Sequence, residues 1–363
     1  MPHSLQDLMD ALGRPRIAVV GDMMLDTYVR GDVSRISPEG PIPVLRVEKR
    51  EQRPGGAGSV AAMLAGFGAD ALPVGLVGED AAAETLRRLL EAAPMDASGL
   101  VSTELRPTIT KARYLGYVQS AGRAVQQIVR VDEELTHPLS VEEADAVAAA
   151  AESALERCDL LIIQDMGKGI FDDELVGRLI ERGARLGKPV VVDPERRESY
   201  ARYRGATCLL PNRYEAQIAT GLTLRSDKDY ARAARQLLDD LELDCALVKL
   251  DRDGMCYATR AGEEKRITTQ TLEVADVTGM LFTNALIDNE TYLFLFGYDP
   301  EGFAIDHFRI VEGQSLAEAR SVRGKPLILG RRTAESMDLT VGDALRITGS
   351  VFRIVGIYET GSG

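Results

Sequence analysis

The chain has 363 residues, a formal net charge of −13 and a sequence pI near 4.9. This length exceeds that of most single domains, so we expect one large domain and a smaller one. The acidic balance argues against nucleic acid or an anionic membrane surface as the main partner, because both favour proteins with clustered lysine and arginine.

The cysteines and the amino terminus are typical of a cytoplasmic protein. Cysteines stand at positions 158, 208, 245 and 256, without C-x-x-C spacing or the density of a disulfide scaffold. We therefore predict buried free thiols in a reducing compartment. The amino-terminal segment carries acids where a signal peptide needs a basic and then an apolar run, and no apolar run reaches membrane-spanning length. We expect no membrane insertion.

The first predicted strand ends beside two acids. Residues Arg16 to Val20 form a short β-branched run that leads into a loop at Gly21 and Asp22, and Asp26 lies just past that end. Ligands bind at the carboxyl ends of strands in open α/β sheets, so Asp22 and Asp26 are candidates for holding sugar hydroxyls. The spacing fits equally well with turn acids that bind no ligand.

A half-exposed strand and a glycine-rich turn follow. Residues Pro41 to Glu48 alternate apolar and polar side chains, which predicts the strand of a flap or lid. The run R-P-G-G-A-G-S then leads into an apolar helix over Val60 to Phe67. Its glycine pair, Gly55 and Gly56, is typical of places where the backbone approaches a ligand closely or turns tightly.

The middle of the chain alternates strands and helices in the order of a doubly wound parallel sheet. The predicted strands are Leu72 to Val77 and Asp159 to Gln164, and the predicted helices are Ala81 to Ala92 and Val141 to Glu156. After Lys188, the run P-V-V-V-D-P predicts a further central strand that ends at Asp193.

A predicted hairpin interrupts this alternation. Its strands are Thr108 to Tyr117 and Val125 to Asp132, and three basic residues alternate on them: Lys111, Arg113 and Arg130. Basic residues on a solvated strand are usually plain surface. Three of them beside a sugar site would instead suit a phosphorylated substrate.

Two polar residues mark the start of a later helix. Asn212 and Glu215 stand three apart, which is the spacing of a helix-capping pair. The functional alternative is that they organise Mg²⁺ and its waters around nucleotide phosphates. Further on, Cys245 to Leu250 is a predicted strand, and the turn at its carboxyl end, which contains Asp251 and Gly254, borders a place for a nucleotide.

The most informative stretch is V-A-D-V-T-G-M-L-F-T-N, residues 274 to 284. Asp276, Thr278 and Gly279 match the start of a D-x-T-G-A-G-D motif, in which glycine amides at a helix start hold developing phosphate charge. The residues M-L-F, ending at Phe282, stand where A-G-D would follow. We therefore expect neither the anion-binding turn nor a catalytic carboxylate at this point.

Together these segments resemble the PfkB (ribokinase-like) family of ATP-dependent sugar kinases, and within it the heptose-7-phosphate kinase domain used in making ADP-heptose for lipopolysaccharide. The resemblance covers roughly residues 14 to 279. It implies a ribokinase-like α/β fold, a doubly wound, mostly parallel sheet with a β lid. The segments that carry it are G-D-M-M-L-D-T-Y at 21–28, S-R-I-S-P-E-G-P-I-P-V at 34–44, R-P-G-G-A-G-S-V-A at 53–61, P-T-I-T-K-A-R at 107–113, Q-Q-I-V-R-V-D at 126–132, Y-R-G-A-T-C-L-L-P-N at 203–212 and A-D-V-T-G at 275–279.

The resemblance also implies roles for the candidate residues. A sugar phosphate and ATP would be the ligands, with Mg²⁺ held indirectly by Glu215. The lid strand often pairs two subunits in this family, so we expect a possible homodimer through the lid. The implied sugar contacts are Asp26, Gly55 and Gly56; the implied phosphate contacts are Lys111, Arg113 and Arg130; the implied nucleotide and Mg²⁺ contacts are Asn212 and Glu215.

The sequence departs from the family pattern at two places. Ser59 stands where the family usually has Asn after the glycine pair, so one sugar contact is shortened or lost. Phe282 replaces the Asp that takes the proton from the attacking sugar hydroxyl. We therefore predict ligand binding without efficient turnover.

The tail resembles part of the periplasmic core domain of FtsX/MacB-type ABC-transporter permeases. The matching segments are F-R-I-V-E-G-Q-S-L at 308–316, L-G-R-R-T-A-E-S-M-D-L-T-V-G-D-A-L-R-I at 329–347 and F-R-I-V-G-I-Y-E-T-G-S-G at 352–363. We predict a kinase domain over residues 1–279 and a small, β-rich α+β fragment over 280–363. Because the tail's apolar residues alternate as in strands, we do not expect it to rebuild the family's last helices, and one sheet face should stay partly bare. The alternative function is a non-catalytic permease-related interaction module with the kinase portion as a passenger.

Overall fold

The structure is a computed structural model that describes residues 11, 13–40, 42–93, 95–117, 125–268, 280–287, 291–298, 309–316, 318–319, 324–347 and 350–359. The chain forms two compact units. The first, here called the core unit, contains residues 1–28, 50–113 and 129–270, and the second contains residues 29–49, 114–128 and 271–363. The predicted domain boundary at residue 279 lies outside the described residues and stays a prediction.

The strands of the described residues are β1 (Arg16–Gly21), β2 (Met23–Ile36), β3 (Pro43–Gly56), β4 (Asp70–Gly78), β5 (Gly99–Thr103), β6 (Ile109–Tyr117), β7 (Gln126–Glu133), β8 (Leu160–Gln164), β9 (Val190–Asp193), β10 (Cys208–Leu209), β11 (Cys245–Lys249), β12 (Met255–Thr259), β13 (Glu264–Ile267), β14 (Met280–Ile287), β15 (Thr291–Tyr298), β16 (Arg309–Gly313), β17 (Lys325–Gly330), β18 (Ala344–Ile347) and β19 (Ser350–Glu359). The helices are α1 (Ala57–Gly66), α2 (Ala81–Glu91), α3 (Val141–Arg157), α4 (Asp173–Leu186), α5 (Arg213–Thr220), α6 (Asp227–Asp240) and α7 (Arg331–Ser336), with short 3-10 helices at Ala201–Tyr203 and Asp251–Asp253.

A nine-stranded sheet forms the centre of the core unit, in the order β13-β12-β11-β10-β9-β8-β1-β4-β5. The strands from β11 to β5 in this order are parallel, and β12 and β13 complete one edge as antiparallel strands. The inner strands are short and rich in β-branched residues, as strands buried on both faces are. Ala18, Val19 and Val20 of β1 are fully buried. The doubly wound, mostly parallel sheet predicted from the sequence is confirmed.

Helices cover the two faces of this sheet unequally. One face packs against α3, α4, α5 and α6 in a single apolar core, and the other packs against α1 and α2 around β1 and β4. On the second face, β8 to β12 carry side chains that are only half-buried: Leu160, Ile162, Val191, Cys208, Cys245, Leu247, Met255 and Tyr257. Their neighbours on the first face, such as Val248 and Leu161, are fully buried. The sheet therefore has one well-covered face and one face with partial cover.

A second sheet corresponds to the predicted lid, with the strand order β3-β2-β6-β7. Two sequence predictions need correction here. Asp26 is part of β2 and does not lie in a loop, because β2 begins one residue after Asp22 and the run M-M-L-D-T-Y-V continues as a strand. The glycine pair closes β3, which runs unbroken from Pro43 to Gly56, so it is not in a separate turn.

The carboxyl-terminal part of the chain, from residue 280 onward, is β-rich where it is described, as predicted. Strands β14 and β15 pair as an antiparallel hairpin, and β19 pairs with β16, β17 and β18 in a four-stranded sheet. Residues 280–287 and 291–298 are thus strands, in agreement with the prediction that this stretch is not a long helix. In the part of the chain that is described, no helix has the length and apolar character needed to cross a membrane.

Candidate active site

Polar residues gather at one edge of the central sheet, where its parallel strands end. Asp22 follows β1, Asp165 follows β8, Asp193 ends β9, Asn212 lies just beyond β10 and Lys249 ends β11. These five strands are neighbours in the sheet. The topology therefore brings together residues that are up to 227 positions apart, from 22 to 249. This edge is where ligands bind in open α/β folds.

Asp22 is a buried acid that holds the loop after β8. The residue is 3% exposed, and its Oδ2 accepts hydrogen bonds from the backbone N–H groups of Met166 (3.0 Å) and Lys168 (3.3 Å). Burial raises the pKa of Asp22 to about 7, and the negative charge of Asp165 also raises it, whereas the two amides oppose the shift. Asp22 thus fixes a loop at the edge of the site, a role that its spacing alone does not reveal.

Asp165 forms a buried ion pair that the sequence analysis missed. Its Oδ2 accepts hydrogen bonds from the Arg202 guanidinium and from the Tyr203 hydroxyl (2.7 Å). The side chains of Asp165 and Arg202 are 2% and 5% exposed. The rule that singled out Asp22, an acid directly after a buried strand, would also have found Asp165. Arg202 carries no such pattern, because its partner lies 37 residues away.

Asp26 and Gly55 lie against one another. A Cβ atom on Gly55 would lie 2.9 Å from Cγ of Asp26, which is closer than real contacts allow. Asp26 Oδ1 accepts a hydrogen bond from Arg113 (2.8 Å), and this bond raises the pKa of the Arg113 guanidinium. The Arg113 guanidinium also lies 5.2 Å from the centre of the Tyr28 ring. Two predicted ligand groups, the sugar-facing Asp26 and the phosphate-facing Arg113, are therefore brought together.

Gly56 and Ser59 have local structural roles. Gly56 has φ of 54°, a left-handed conformation that favours glycine, and a Cβ there would lie 2.2 Å from the Asp22 carbonyl oxygen. The Ser59 hydroxyl donates a hydrogen bond to the Gly56 carbonyl (2.8 Å). That hydroxyl stabilises the first turn of α1.

A chain of alternating charges extends from the hairpin to the loop after β8. Lys111 Nζ donates to Asp132 (3.1 Å) and Glu134 (3.0 Å), and Glu134 also accepts a hydrogen bond from Lys168 Nζ (2.6 Å). Arg130 Nε donates to Asp132 (3.0 Å). Burial opposes ionisation of Glu134, but the two lysines lower its pKa below the usual value. The predicted cations Lys111 and Arg130 therefore lie together, and Lys168 is a further cation that the sequence analysis missed.

Asn212 and Glu215 form a complete capping box at the start of α5. Asn212 Oδ1 accepts the Glu215 N–H (2.9 Å), and the Glu215 carboxylate accepts the Asn212 N–H (2.7 Å) and side-chain amide (2.6 Å). Burial raises the pKa of Glu215. The capping alternative is thus present in the structure, and it does not exclude a second role for the lone pairs that remain on the carboxylate.

Asp251 and Gly254 shape the tight connection between β11 and β12. Asp251 has φ of 53° and Gly254 has φ of 92°. The Leu250 N–H donates to the Gly254 carbonyl (2.7 Å), and Arg213 binds the Leu250 carbonyl (2.9 Å). These residues hold the turn at the carboxyl end of β11, beside the capping box.

The interrupted phosphate motif lies mostly outside the described residues. Asp276, Thr278 and Gly279 fall in the stretch 269–279, which is not described, and Phe282 is part of β14. A surface cavity of about 430 Å³ lies instead near the amino end of β11, lined by residues that include Leu243, Thr259 and Arg260. This cavity is near the amino ends of the parallel strands, whereas the candidate site is at their carboxyl ends.

Family models match this chain in two overlapping parts. Residues 14–279 match the model of the pfkB family of carbohydrate kinases. The chain belongs to the pfkB family. Residues 251–363 match the model of the MacB-like periplasmic core domain, so the two matches overlap at residues 251–279.

Individual proteins that are similar to this chain agree with its membership of the pfkB family. The chain is 38% identical over 266 residues to the bifunctional protein HldE of Wolinella succinogenes, covering 73% of this chain and 54% of that protein. It is 40% identical over 264 residues to the bifunctional protein HldE of Azorhizobium caulinodans, covering 72% and 53%. The chain thus spans about half the length of the curated relatives it matches.

Solved structures show the pfkB fold at lower identity. Escherichia coli phosphofructokinase-2 in complex with fructose-6-phosphate superposes with a TM-score of 0.56 at 20% identity, covering 73% of this chain and 82% of that one. Arabidopsis thaliana ribokinase complexed with ribose and ATP gives 0.53 at 16% identity, covering 72% and 81%. These likenesses establish the ribokinase-like fold of the core unit.

In this pfkB chain, the carboxylates at the carboxyl edge of the sheet are compatible with a metal ion that is bound through water molecules. Among the described residues, no group of three His, Cys, Asp or Glu side chains is arranged to hold a metal ion directly. Asp193 and Glu215 nevertheless lie at the same edge as Lys249, whose Nζ donates to Asp193 Oδ1 (2.6 Å). Carboxylate oxygens with free lone pairs can accept hydrogen bonds from the waters of a hydrated Mg²⁺ ion.

Proposed function

We propose that this chain carries the substrate site of a heptose-7-phosphate kinase, with ATP as phosphoryl donor and Mg²⁺ as the metal, and that its own turnover is close to background. The observation that carries the proposal is the row of polar groups at the carboxyl edge, from Asp22 to Lys249, in a chain of the pfkB family. The HldE relatives support the choice of a heptose phosphate.

In this proposal the cations Lys111, Arg130 and Lys168 recognise the phosphate that the sugar already bears. In the described residues Asp132 and Glu134 bridge the three cations Lys111, Arg130 and Lys168, which outnumber these two carboxylates by one. A phosphate monoester can accept hydrogen bonds from such cations. Asp26 accepts hydrogen bonds from sugar hydroxyls, and its hydrogen bond from Arg113 holds the carboxylate in position.

The nucleotide lies, in this proposal, over the ends of β9 to β11. Lys249 neutralises phosphate charge, and Asn212 and Glu215 orient the waters of a hydrated Mg²⁺ ion. Bound Mg²⁺ would screen the phosphate charges of ATP. The turn at Asp251 and Gly254 closes the far side of the nucleotide site.

Catalysis is the step that this chain lacks. A positioned general base contributes roughly 10² to 10⁴ in rate, and Phe282 cannot accept a proton. Met280 and Leu281 are part of strand β14, so their N–H groups do not lie at a helix start that could point them at the transferring phosphate. Such donors are each worth about 10² to 10³ in other enzymes. Substrates would therefore bind without being turned over efficiently.

Two measurements test the proposal. Calorimetry with ATP·Mg²⁺ and with a heptose 7-phosphate should detect weak binding of each, and absence of heat and of any thermal shift with both would overturn the substrate assignment. A coupled ADP-release assay should give near-background turnover. The comparison protein has Met280, Leu281 and Phe282 replaced by Ala, Gly and Asp and a family-type carboxyl terminus, and it should turn over. Robust turnover by the unmodified chain would show that another carboxylate acts as the base.

In the same proposal the protein is cytoplasmic and forms a homodimer through the lid. The match of residues 251–363 to a periplasmic core domain favours a second candidate, a non-catalytic permease-related interaction module. The two candidates differ in what they bind: the module would bind neither ATP·Mg²⁺ nor a heptose phosphate. A reading frame that continues uninterrupted across codons 279 to 281 in independently obtained DNA would establish the junction as genuine.

A further inference from the structure

Two of the four cysteines are direct neighbours across adjacent strands. Cys208 of β10 and Cys245 of β11 are register partners in the parallel sheet. Neighbouring strands are about 4.7–4.9 Å apart, and disulfides join residues whose Cα atoms are about 4.4–6.8 Å apart. The backbone spacing at this pair is therefore already within the range of a disulfide.

The side chains of the pair share one face of the sheet. Register partners in a parallel pair project to the same side, and both thiols are on the face where β8 to β12 are only half-buried. The other cysteines differ in both respects: Cys256 is 2% exposed and pairs with Val248, and Cys158 is 1% exposed at the end of α3.

We propose that Cys208 and Cys245 form a reversible intramolecular disulfide when the folded protein meets a low-molecular-weight disulfide. One protein thiolate attacks that disulfide, forms a mixed disulfide and releases one small thiolate. The second protein thiolate then attacks the protein sulfur of the mixed disulfide and expels the second small thiolate. Two protein thiols are oxidised, and one small disulfide is reduced to two small thiols.

The bond would join two strands that lead to the candidate site. Strand β10 has only two residues and pairs with β9 on one side and β11 on the other. Three residues beyond it, Asn212 begins the capping box of α5. A covalent link at the amino end of β10 would hold this short strand in register with β11. The proposal is independent of the kinase assignment, because it depends only on the sheet.

The reaction is expected to be slow at neutral pH and faster in alkali. Burial raises the pKa of the Cys208 thiol, and the neighbouring Cys245 thiol raises it further, so the thiolate is scarce near pH 7. The oxidation rate should therefore keep rising between pH 7 and pH 9.

The experiment treats the full chain with oxidised glutathione at pH 8.5 and then counts free thiols under denaturing conditions. We expect a loss of two thiols, a peptide linking Cys208 to Cys245, a monomeric band without reductant, and a melting temperature that rises on oxidation and returns with dithiothreitol. C158S and C256S are matched controls that should still lose two thiols. The C208S and C245S variants should either retain all of their free thiols or carry one bound glutathione.

Three results would overturn the proposal. All three concern the wild type: unchanged thiol numbers, glutathione that stays attached to Cys208 or Cys245 without forming the internal bond, and linkage to a different cysteine or to a second chain. The thiol count and the melting curve are measured on the same sample of oxidised wild type. The outcome therefore does not depend on whether a variant folds.

Discussion

Asp22 links the proton concentration to the stability of the core unit. Its pKa is raised by burial to about 7, whereas an exposed Asp has a pKa near 3.8. Between these two values the unfolded chain loses the proton while the folded chain keeps it, so the free energy of unfolding falls as pH rises through the window from about 4 to 7. The contribution of Asp22 is fully present below pH 4 and is lost above pH 7.

The D22N variant should lose this pH dependence. We expect the difference in free energy of unfolding, wild type minus D22N, to fall by about 1.4 kcal/mol per pH unit across the window. Urea unfolding at a series of pH values measures it. The control is D159N: Asp159 accepts the Arg16 N–H (2.8 Å) and its pKa is lowered by that bond, so its contribution should be lost as pH falls. A flat difference for D22N would contradict the assignment.

The buried pair of Asp165 and Arg202 should be worth far more than an exposed pair. Replacing Arg202 by Met leaves a buried carboxylate without its cation, which costs about 3–5 kcal/mol in comparable cases. The matched control is Arg178→Met, because Arg178 forms an exposed pair with Glu152 (2.8 Å) and such pairs contribute about 0–1 kcal/mol. Chemical denaturation of both variants tests this. Equal small losses would show that water reaches Asp165.

The capping boxes of α5 and α6 allow the structural and functional roles of Asn212 to be separated. Ser226 and Asp229 form the same box at the start of α6, a position to which the proposal assigns no ligand. N212A and S226A should each lose about 1 kcal/mol of stability. N212S keeps a capping oxygen and should keep most of that stability.

Binding then distinguishes the two roles. If Asn212 also orients Mg²⁺ and its waters, N212A and N212S should both weaken ATP·Mg²⁺ binding in calorimetry, whereas S226A should bind as the wild type does. Unchanged affinity in N212A and N212S would leave helix capping as the entire role of this residue.

Local sequence patterns predicted strands and helix caps well. They did not predict contacts between residues that are far apart in the chain. The strand at Arg16 to Val20 and the cap at Asn212 follow from runs and spacings within a few residues. The position of Asp26 in β2 was missed, because the strand resumes in a new sheet after a single residue, a change that depends on distant partners. The contacts of Lys168 with Glu134 and of Arg202 with Asp165 join residues 34 and 37 positions apart, and no local period encodes them.

At the scale of the whole molecule, the lid carries apolar surface. Val129 and Val131 of β7 are 48% and 45% exposed. An edge strand with exposed valines is a favourable surface for a second copy of the chain. We therefore predict that the proposed homodimer forms here and that the double variant V129K/V131K is monomeric in sedimentation analysis. The control is M63K/F67K, which changes an exposed residue of α1 and the exposed residue at its carboxyl end. If the control dissociates and the lid variant does not, the interface is elsewhere.

The order of strands in the central sheet also sets how this chain folds as it leaves the ribosome. Ile17 of β1 pairs with Ala71 of β4 on one side and with Leu160 of β8 on the other. The second partner is synthesised 143 residues after Ile17, which at about 5–20 residues per second takes roughly 7–30 s. Throughout that time one hydrogen-bonding edge of β1, a strand that is buried in the folded protein, has no partner from its own sheet. The nascent chain therefore presents an unpaired apolar strand to the cell for seconds, and chaperone demand should be highest before residue 160 emerges.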